Sequence, residues 1–383
     1  MAFRKVKMGM VGGGQGAFIG EVHRLAAALD NQVELVCGAF SSDYENTKTT
    51  GAALGLSEER LYTSYKEMMV AESKLPANER MDFVSIVTPN HLHYPVAVAA
   101  LEAGFHVLSD KPATATSDEA RQLDAIVEST GLLFGLTHTY LGYPMIWQAR
   151  HLVQTGALGK VRKVYVEYPQ GWLSKDEESG GSKQAAWRTD PAKSGISGCM
   201  GDIGTHAHNM AEFVSCEKVT ELCSELSTFV KGRRLDDDGA ALLRFENGAT
   251  GVLMASQVCA GEENNLKVRV YGEKGGLEWQ QEDENSLVVK WLEQPKQTYK
   301  AGAGNIGLCD IASNMCRTPG GHPEGYLEAF ANLYRNFAKA ITAGESKQAT
   351  GVPGIKDGVR GMAFVDAIVE SSSADSVWTK IKI

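Results

Sequence analysis

Residues 6–29 read VKMGMVGGGQGAFIGEVHRLAAAL, and this stretch decides the fold of the first third of the chain. Val6 to Val11 is a short apolar run of strand character. A glycine cluster follows, and then apolar residues recur at helical spacing. Between strand and helix lies Gly12-x-Gly14-x-x-Ala17, and a second apolar strand, Val33 to Phe40, comes where a β-α-β unit needs it. The chemistry of such a loop is backbone chemistry. The first glycine makes the tight turn and the second lets main-chain N–H groups approach a pyrophosphate. The third position stays small so that the helix packs on its strand, with the phosphates at the helix N-terminus. The loop therefore predicts dinucleotide binding, with Gly12, Gly14, Gln15, Gly16, Ala17 and Phe18 as candidate contacts.

The end of the second strand, at Phe40 or Ser41, is where an acid would bond the adenosine ribose and repel a 2′-phosphate. Here the nearest acid is Asp43; Ser41 and Ser42 are able to bond a phosphate, and only Lys48 supplies a nearby cation. The expected cofactor is NAD or NADP, with a lean to NAD.

The strand DFVSIVTPN and the run HLHYPVAVAALEAGFHVLSDKPATATSDEARQL continue the strand–helix rhythm of a doubly wound parallel sheet. Thr88, Pro89 and Asn90 lie just past one strand's C-terminal end, with His93 close behind; Asp110 and Lys111 lie past the next. Open α/β sheets bind ligands at such ends. These residues are thus candidate cofactor contacts, and Lys111 is placed for a role beside a nicotinamide.

The 383 residues carry a net charge of −9, which argues against a nucleic-acid or anionic-membrane surface, since either needs a concentrated positive patch. No apolar run approaches the ~18 residues of a membrane-spanning helix. The beginning MAFRKVKMGMVGGG lacks the apolar core and cleavage site of a secretory signal. Seven cysteines without CxxC spacing fit reduced thiols better than disulfides or a zinc site. The expectation is a cytoplasmic protein.

Past Gly142 the texture changes. VRKVYVEYPQGW, TELCSELSTFV, GAALLRFENGATGVLMASQV, NNLKVRVYGEKGGLEW and NSLVVKWLE read as consecutive strands without intervening helices, hence a large, open, mostly antiparallel sheet. GHPEGYLEAFANLYRNFAKAI and IKDGVRGMAFVDAIVESS read as two helices, and VWTKIKI as a last strand. Gln294 to Gly321 reads as an irregular loop. The predicted domains are 1–141, binding the dinucleotide, and 142–383, an α/β domain for substrate and subunit contact.

GDIGTHAHNM, residues 201–210, reads as a helix start. Asp202, His206 and Asn209 share one face at about 100° per residue, while His208 points elsewhere and packs or faces solvent. A metal needs three or four ligands, and this face supplies two, so no metal is predicted. A catalytic pair makes better sense beside a nicotinamide. Oxidising a secondary alcohol requires loss of the hydroxyl proton, and histidine titrates nearest neutral pH.

Taken in order, VGGGQGAFIGEVH, TPNHLHYPVAVAALEAGFHVLSDKP and WRTDPAKSGISGCMGDIGTHAHNMAEF resemble the Gfo/Idh/MocA oxidoreductase family over nearly the whole chain. The resemblance implies a Rossmann domain followed by an α/β domain whose open sheet forms dimers or tetramers. It also implies an NAD(P)-dependent dehydrogenase acting on a ring hydroxyl of a sugar, sugar derivative or cyclitol. Lys111 matches the lysine of the family's EKP motif, with Asp110 for the usual glutamate. Asp202 and His206 match its catalytic Asp and His, His206 being the general base. Asn209 stands where inositol dehydrogenases often carry an aspartate, and Trp187 and Arg188 match a pair near the nicotinamide. Thr139 and Leu141 depart from the commoner N-[YF]-R pattern. The resemblance further suggests Tyr168 and Trp172 for stacking on a sugar face, Gln170 and Arg188 for bonding hydroxyls, and His322 with Tyr326 for closing the pocket. Alternatives within the same fold are a glycoside-cleaving enzyme that passes through a transient keto-sugar, and a non-catalytic dinucleotide-binding regulator.

Overall fold

The computed structural model describes residues 4–383, which form two compact units. The first comprises the described residues through Thr139 together with Tyr326–Val359; the second comprises Tyr140–Gly325 and Arg360–Ile383.

In the first unit, β1 (Val6–Gly12), β2 (Val33–Ala39), β3 (Phe83–Val87), β4 (His106–Ser109) and β5 (Phe134–Leu136) form one sheet in the order β2-β1-β3-β4-β5. Every neighbouring pair is parallel. All five residues of β3 are buried, as expected of a central strand covered on both faces. The ends of β1, β3 and β4 lead into the glycine loop, Thr88 and Asp110 respectively, so the doubly wound reading holds.

Helix Tyr326–Ala343 belongs to this unit, whereas the sequence reading kept it in the second domain. Phe330, Tyr334 and Phe337 recur at spacings of four and three, one helical stripe. All three are buried in the core formed with Met8, Met10, Val22 and Phe83, and the Phe337 and Phe83 rings lie edge-on at 5.4 Å. Burying each such side chain contributes roughly 1.5–3 kcal/mol. Helical period reveals that a stripe is apolar, not which sheet it covers.

The second unit carries nine strands: β6 (Val161–Pro169), β7 (Val219–Ser227), β8 (Asp238–Phe245), β9 (Thr250–Ser256), β10 (Lys267–Gly272), β11 (Gly275–Gln280), β12 (Ser286–Trp291), β13 (Gln297–Lys300) and β14 (Thr379–Lys380). Their order is β13-β12-β11-β10-β6-β9-β8-β7-β14. Only β6 and β9 pair in parallel; the other ladders are antiparallel. One face is apolar and buried. In β8, Ala241, Leu243 and Phe245 turn inward while Ala240, Leu242 and Arg244 are exposed. Helix Thr205–Ser215 packs against the inner face through β6, β9 and β10. The stretch from Gln294 to Gly321, expected as irregular, holds β13 and a short helix, Asp310–Met315. β13 is a polar edge strand, so it lacks the apolar alternation by which strands are recognised.

Candidate active site

The first unit's candidate contacts gather around the glycine loop. Gly12 and Gly13 have φ of +87° and +75°, where side chains are strained. A Cβ on Gly12 would lie 2.9 Å from the Val87 carbonyl oxygen, so backbone passes there without room for a side chain. The close approach of helix to loop falls at Gly20, not at Ala17 as the fingerprint reading expects. A Cβ on Gly20 would come within 2.3 Å of Gly13 Cα. Ala17 is instead the residue capping helix Phe18–Leu29, and it offers no side-chain acceptor to the first helical amides. A glycine cradle followed by amides left for a ligand fits a pyrophosphate.

Residues outside the motif set the loop's shape. The Gln15 amide donates to Asn46 Oδ1 and Thr50 Oγ1, both at 3.0 Å, and the Asn46 amide returns a bond to Gln15 O at 3.2 Å. Arg24 Nη1 donates to Gly13 O at 2.7 Å. Gln15, Gly16 and Phe18 are exposed along the loop.

At the ribose end, Phe40 is buried and gives only its carbonyl, which accepts from Gly14 N at 3.0 Å. Ser41 Oγ accepts from Asp43 N at 3.1 Å, Ser42 is exposed, and Asp43 caps helix Tyr44–Ala53. Lys48 is paired with Glu45 at 2.5 Å.

At the ends of β3 and β4, His93 is 1% exposed and both ring nitrogens are engaged, Nε2 with Thr88 O at 2.8 Å and Nδ1 with Pro112 O at 2.6 Å. It ties together the two loops that carry Thr88, Pro89, Asn90 and Lys111, and presents no atom to a cofactor. This corrects its expected contact role. Burial lowers its pKa, and the two carbonyls only partly offset that. Asp110 Oδ1 accepts from the Lys111 amide and from Thr137 Oγ1, each at 2.9 Å.

The second unit assembles Asp202 and His206. Asp236 accepts from Ser197 Oγ (2.8 Å), Gly198 N (2.7 Å) and Met200 N (2.8 Å), and so anchors the segment's start. Met200–Gly204 is a π-helical turn feeding helix Thr205–Ser215, where a plain helix start was expected. Thr205 Oγ1 bonds the carbonyls of Gly201 and Asp202 at 3.1 and 2.9 Å, filling the widened turn. Asp202 Oδ2 accepts from Arg188 Nε at 3.2 Å and Gln257 Nε2 at 3.0 Å. The Arg188 guanidinium stacks over Trp187 at 4.2 Å and lies 5.8 Å from the Trp172 ring.

His206 is 9% exposed, with its ring edge-to-face on Tyr140 at 4.9 Å and Tyr168 at 6.3 Å. Behind it runs a polar chain. Tyr140 and Tyr168 share a hydroxyl–hydroxyl bond, and Tyr168 donates to Asn264 Oδ1 at 2.7 Å. Gln170 donates to the same oxygen at 2.5 Å and accepts from Trp172 Nε1 at 3.1 Å. Tyr168 is 2% exposed, so it backs the histidine and leaves no ring face for a sugar, contrary to expectation. Trp172 remains 37% exposed. Burial also raises the Tyr140 phenol pKa, keeping it a neutral hydroxyl.

Asn209 is nearly buried on the same helix. His208 packs, its ring stacked on Phe364 at 4.5 Å and its Nε2 3.3 Å from Glu212. Thr139 and Leu141 are buried on either side of Tyr140, the residue of that motif that reaches the histidine. His322 is exposed, with Nδ1 3.3 Å from Pro319 O, and its own contacts stay within its loop. Tyr326 opens helix Tyr326–Ala343 and packs on Phe330, with ring centroids 5.6 Å apart. The sequence alone does not single out Gln257, Asn264 and Asp236, because nothing in their local pattern separates them from ordinary strand and turn residues; Tyr140 carries a signal, as the aromatic position of the N-[YF]-R pattern. Among the described residues no group of three or more His, Cys, Asp or Glu side chains is arranged to hold a metal.

Comparison with known proteins agrees with the fold. Residues 6–138 match an oxidoreductase family with an NAD-binding Rossmann fold, and residues 146–278 match the Gfo/Idh/MocA C-terminal domain. The chain is 34% identical to the uncharacterized oxidoreductase YfiI of Bacillus subtilis, over 99% of this chain and 98% of that one. It is 27% identical to the levoglucosan dehydrogenase of Pseudarthrobacter phenanthrenivorans, over 78% and 79%. The crystal structure of an inositol dehydrogenase homolog from Azotobacter vinelandii complexed with NAD+ matches at 35% identity and a TM-score of 0.91, covering 98% of this chain and 97% of that one. The same homolog is known complexed with NADH and myo-inositol.

Proposed function

This chain belongs to the Gfo/Idh/MocA oxidoreductase family and carries its NAD-binding Rossmann domain, and from that premise we propose that it is a dehydrogenase acting on a ring hydroxyl of a sugar, sugar derivative or cyclitol. The observation that carries the proposal is the Asp202–His206 pair. A carboxylate is fixed by Arg188 and Gln257 one turn before a nearly buried histidine backed by two tyrosines.

When bound, the nicotinamide supplies the hydride acceptor. His206 takes the hydroxyl proton on an imidazole nitrogen, Asp202 favours the imidazolium that results, and Lys111 polarises the substrate oxygen. Gln170, Trp172 and Arg188 offer donors and apolar faces suited to a polyhydroxylated ring, and Asn209 offers an amide. The occupied cation at Lys48 and the absence of arginine from residues 40 to 50 support NAD over NADP. The inositol dehydrogenase homolog and the levoglucosan dehydrogenase support the substrate class. The exposed face of the nine-stranded sheet supports a homodimer or homotetramer. Seven cysteines, none in a disulfide, support a reducing, cytoplasmic setting.

The test is formation of reduced nicotinamide, with NAD and NADP separately, against inositols, aldoses, anhydrosugars and glycosides. Substrate-dependent NADH lost in both Lys111→Ala and His206→Ala supports the proposal. No turnover on any alcohol or the matching keto-sugars overturns it, and aglycone release without NADH would mark the glycoside-cleaving alternative.

A further inference from the structure

Four residues of the first unit, from four places in its sequence, form a chain of polar atoms that the functional reading leaves unused. Ser85 lies on β3, His23 on helix Phe18–Leu29, Tyr334 on helix Tyr326–Ala343, and Asp110 just past β4. Tyr334 OH stands 2.8 Å from Ser85 Oγ and 2.7 Å from His23 Nδ1. His23 Nε2 faces Asp110 Oδ2 at 4.0 Å. Ser85, His23 and Tyr334 are all but inaccessible, and His23 Nε2 has no hydrogen-bond partner. A buried polar atom left unpaired is costly, so a retained one calls for an explanation.

Chemistry gives the chain one direction. A carboxylate only accepts, so the ring nitrogen that faces Asp110 carries the hydrogen. Nδ1 then holds the lone pair and accepts from Tyr334, whose oxygen in turn accepts from Ser85. The groups that face His23 electrostatically are Asp110, which raises its pKa, and Arg24 and His93, which lower it. Burial outweighs them and brings it to about 4, leaving the ring neutral at physiological pH. The far end of the chain meets the proposed chemistry, because Asp110 accepts from the amide of Lys111 through its other oxygen.

We propose that Ser85, Tyr334 and His23 are positioning residues: their hydrogen bonds fix the His23 tautomer so that its Nε2–H is aimed across 4.0 Å at the Asp110 carboxylate, which this dipole, not a closed hydrogen bond, helps to orient together with Lys111. The proposal rests on the reading of Lys111 as a residue that touches substrate. Removing the Tyr334 hydroxyl leaves the ring packing in place and frees the imidazole to hold its hydrogen on Nδ1, toward Ser85. Asp110 then loses the N–H aimed at it across 4.0 Å.

The experiment uses the full chain, labelled with 15N-histidine and recorded with and without NAD, alongside steady-state kinetics. The expected result is a neutral Nε2–H tautomer for His23, assigned by its loss in His23→Asn. In Tyr334→Phe the tautomer shifts toward Nδ1–H, kcat falls about tenfold and substrate KM stays within about twofold. Should Tyr334→Phe not fold, Ser85→Ala weakens the same chain from its far end. An Nδ1–H tautomer in the unaltered protein overturns the proposal. So does wild-type kcat in Tyr334→Phe while Lys111→Ala is inactive. Full turnover in Lys111→Ala sinks the reading of Lys111 instead, and the tautomer measurement tells the two failures apart.

Discussion

Gln257, at the end of β9, donates to the Asp202 carboxylate at 3.0 Å, on the same oxygen that Arg188 reaches at 3.2 Å. An acid held from two sides has one orientation, and the histidine four residues later inherits a fixed neighbour. Gln257→Leu removes one of these restraints at similar volume. We expect kcat to fall about 10- to 150-fold, with NAD affinity unchanged, because a hydrogen bond to a charged group contributes about 1.5–3 kcal/mol. Steady-state kinetics and nucleotide titration check this; a variant with wild-type kcat would show that the Gln257 bond is dispensable.

Gly20 tests where the loop and its helix touch. An added methyl would be 2.3 Å from Gly13 Cα, and backbone cannot swing aside as a side chain does. Gly20→Ala should cost about 1–3 kcal/mol and weaken NAD binding together. Ala17→Gly, at the position the fingerprint singles out, should leave the NAD dissociation constant within about threefold, since capping Gly is tolerated almost as well as the usual residues. Thermal melts and titration of both variants decide between the two positions.

Glu212 anchors the helix that carries His206. It accepts from Arg360 Nε at 2.7 Å, Lys218 Nζ at 3.1 Å and Val219 N at 2.9 Å, and His208 lies 3.3 Å away. Burial alone would raise its pKa, but His208, Arg360 and Lys218 outweigh burial and hold the carboxyl well below the carboxylate range. A depressed pKa contributes stability above the unfolded value of about 4 that is lost as pH falls below it. Glu212→Gln leaves a partly buried Arg360 uncompensated and should cost about 3–5 kcal/mol at pH 7, less at pH 3. Urea unfolding at both pH values measures the difference.

His23 gives a second acid limb at higher pH. Its folded pKa of about 4 lies below the ordinary value of 6.5, so the native state binds the proton less readily than the unfolded chain. Stability should therefore fall as pH drops from about 6.5 toward 4, by roughly 3 kcal/mol in all. In His23→Asn that part of the pH dependence should vanish. An unchanged slope between pH 6.5 and 4 in the variant would show that another group is responsible, His93 and His106 being lowered as well.

The sequence by itself determined the periodic and the covalent parts. Alternating strand and helix fixed the parallel sheet, and the glycine cluster fixed the cradle. Each is a property of neighbours along the chain, where local geometry is set by φ, ψ and side-chain period. Tertiary structure decided the partners. That Gly20 rather than Ala17 makes the close contact, that Tyr168 is buried behind His206, and that Gln257 and Arg188 hold Asp202 all depend on which strand end meets which loop. The helix carrying Tyr334 shows the same limit. Its apolar stripe is legible, yet only packing assigns it to the first sheet, because burial rewards apolar area without naming the surface that covers it.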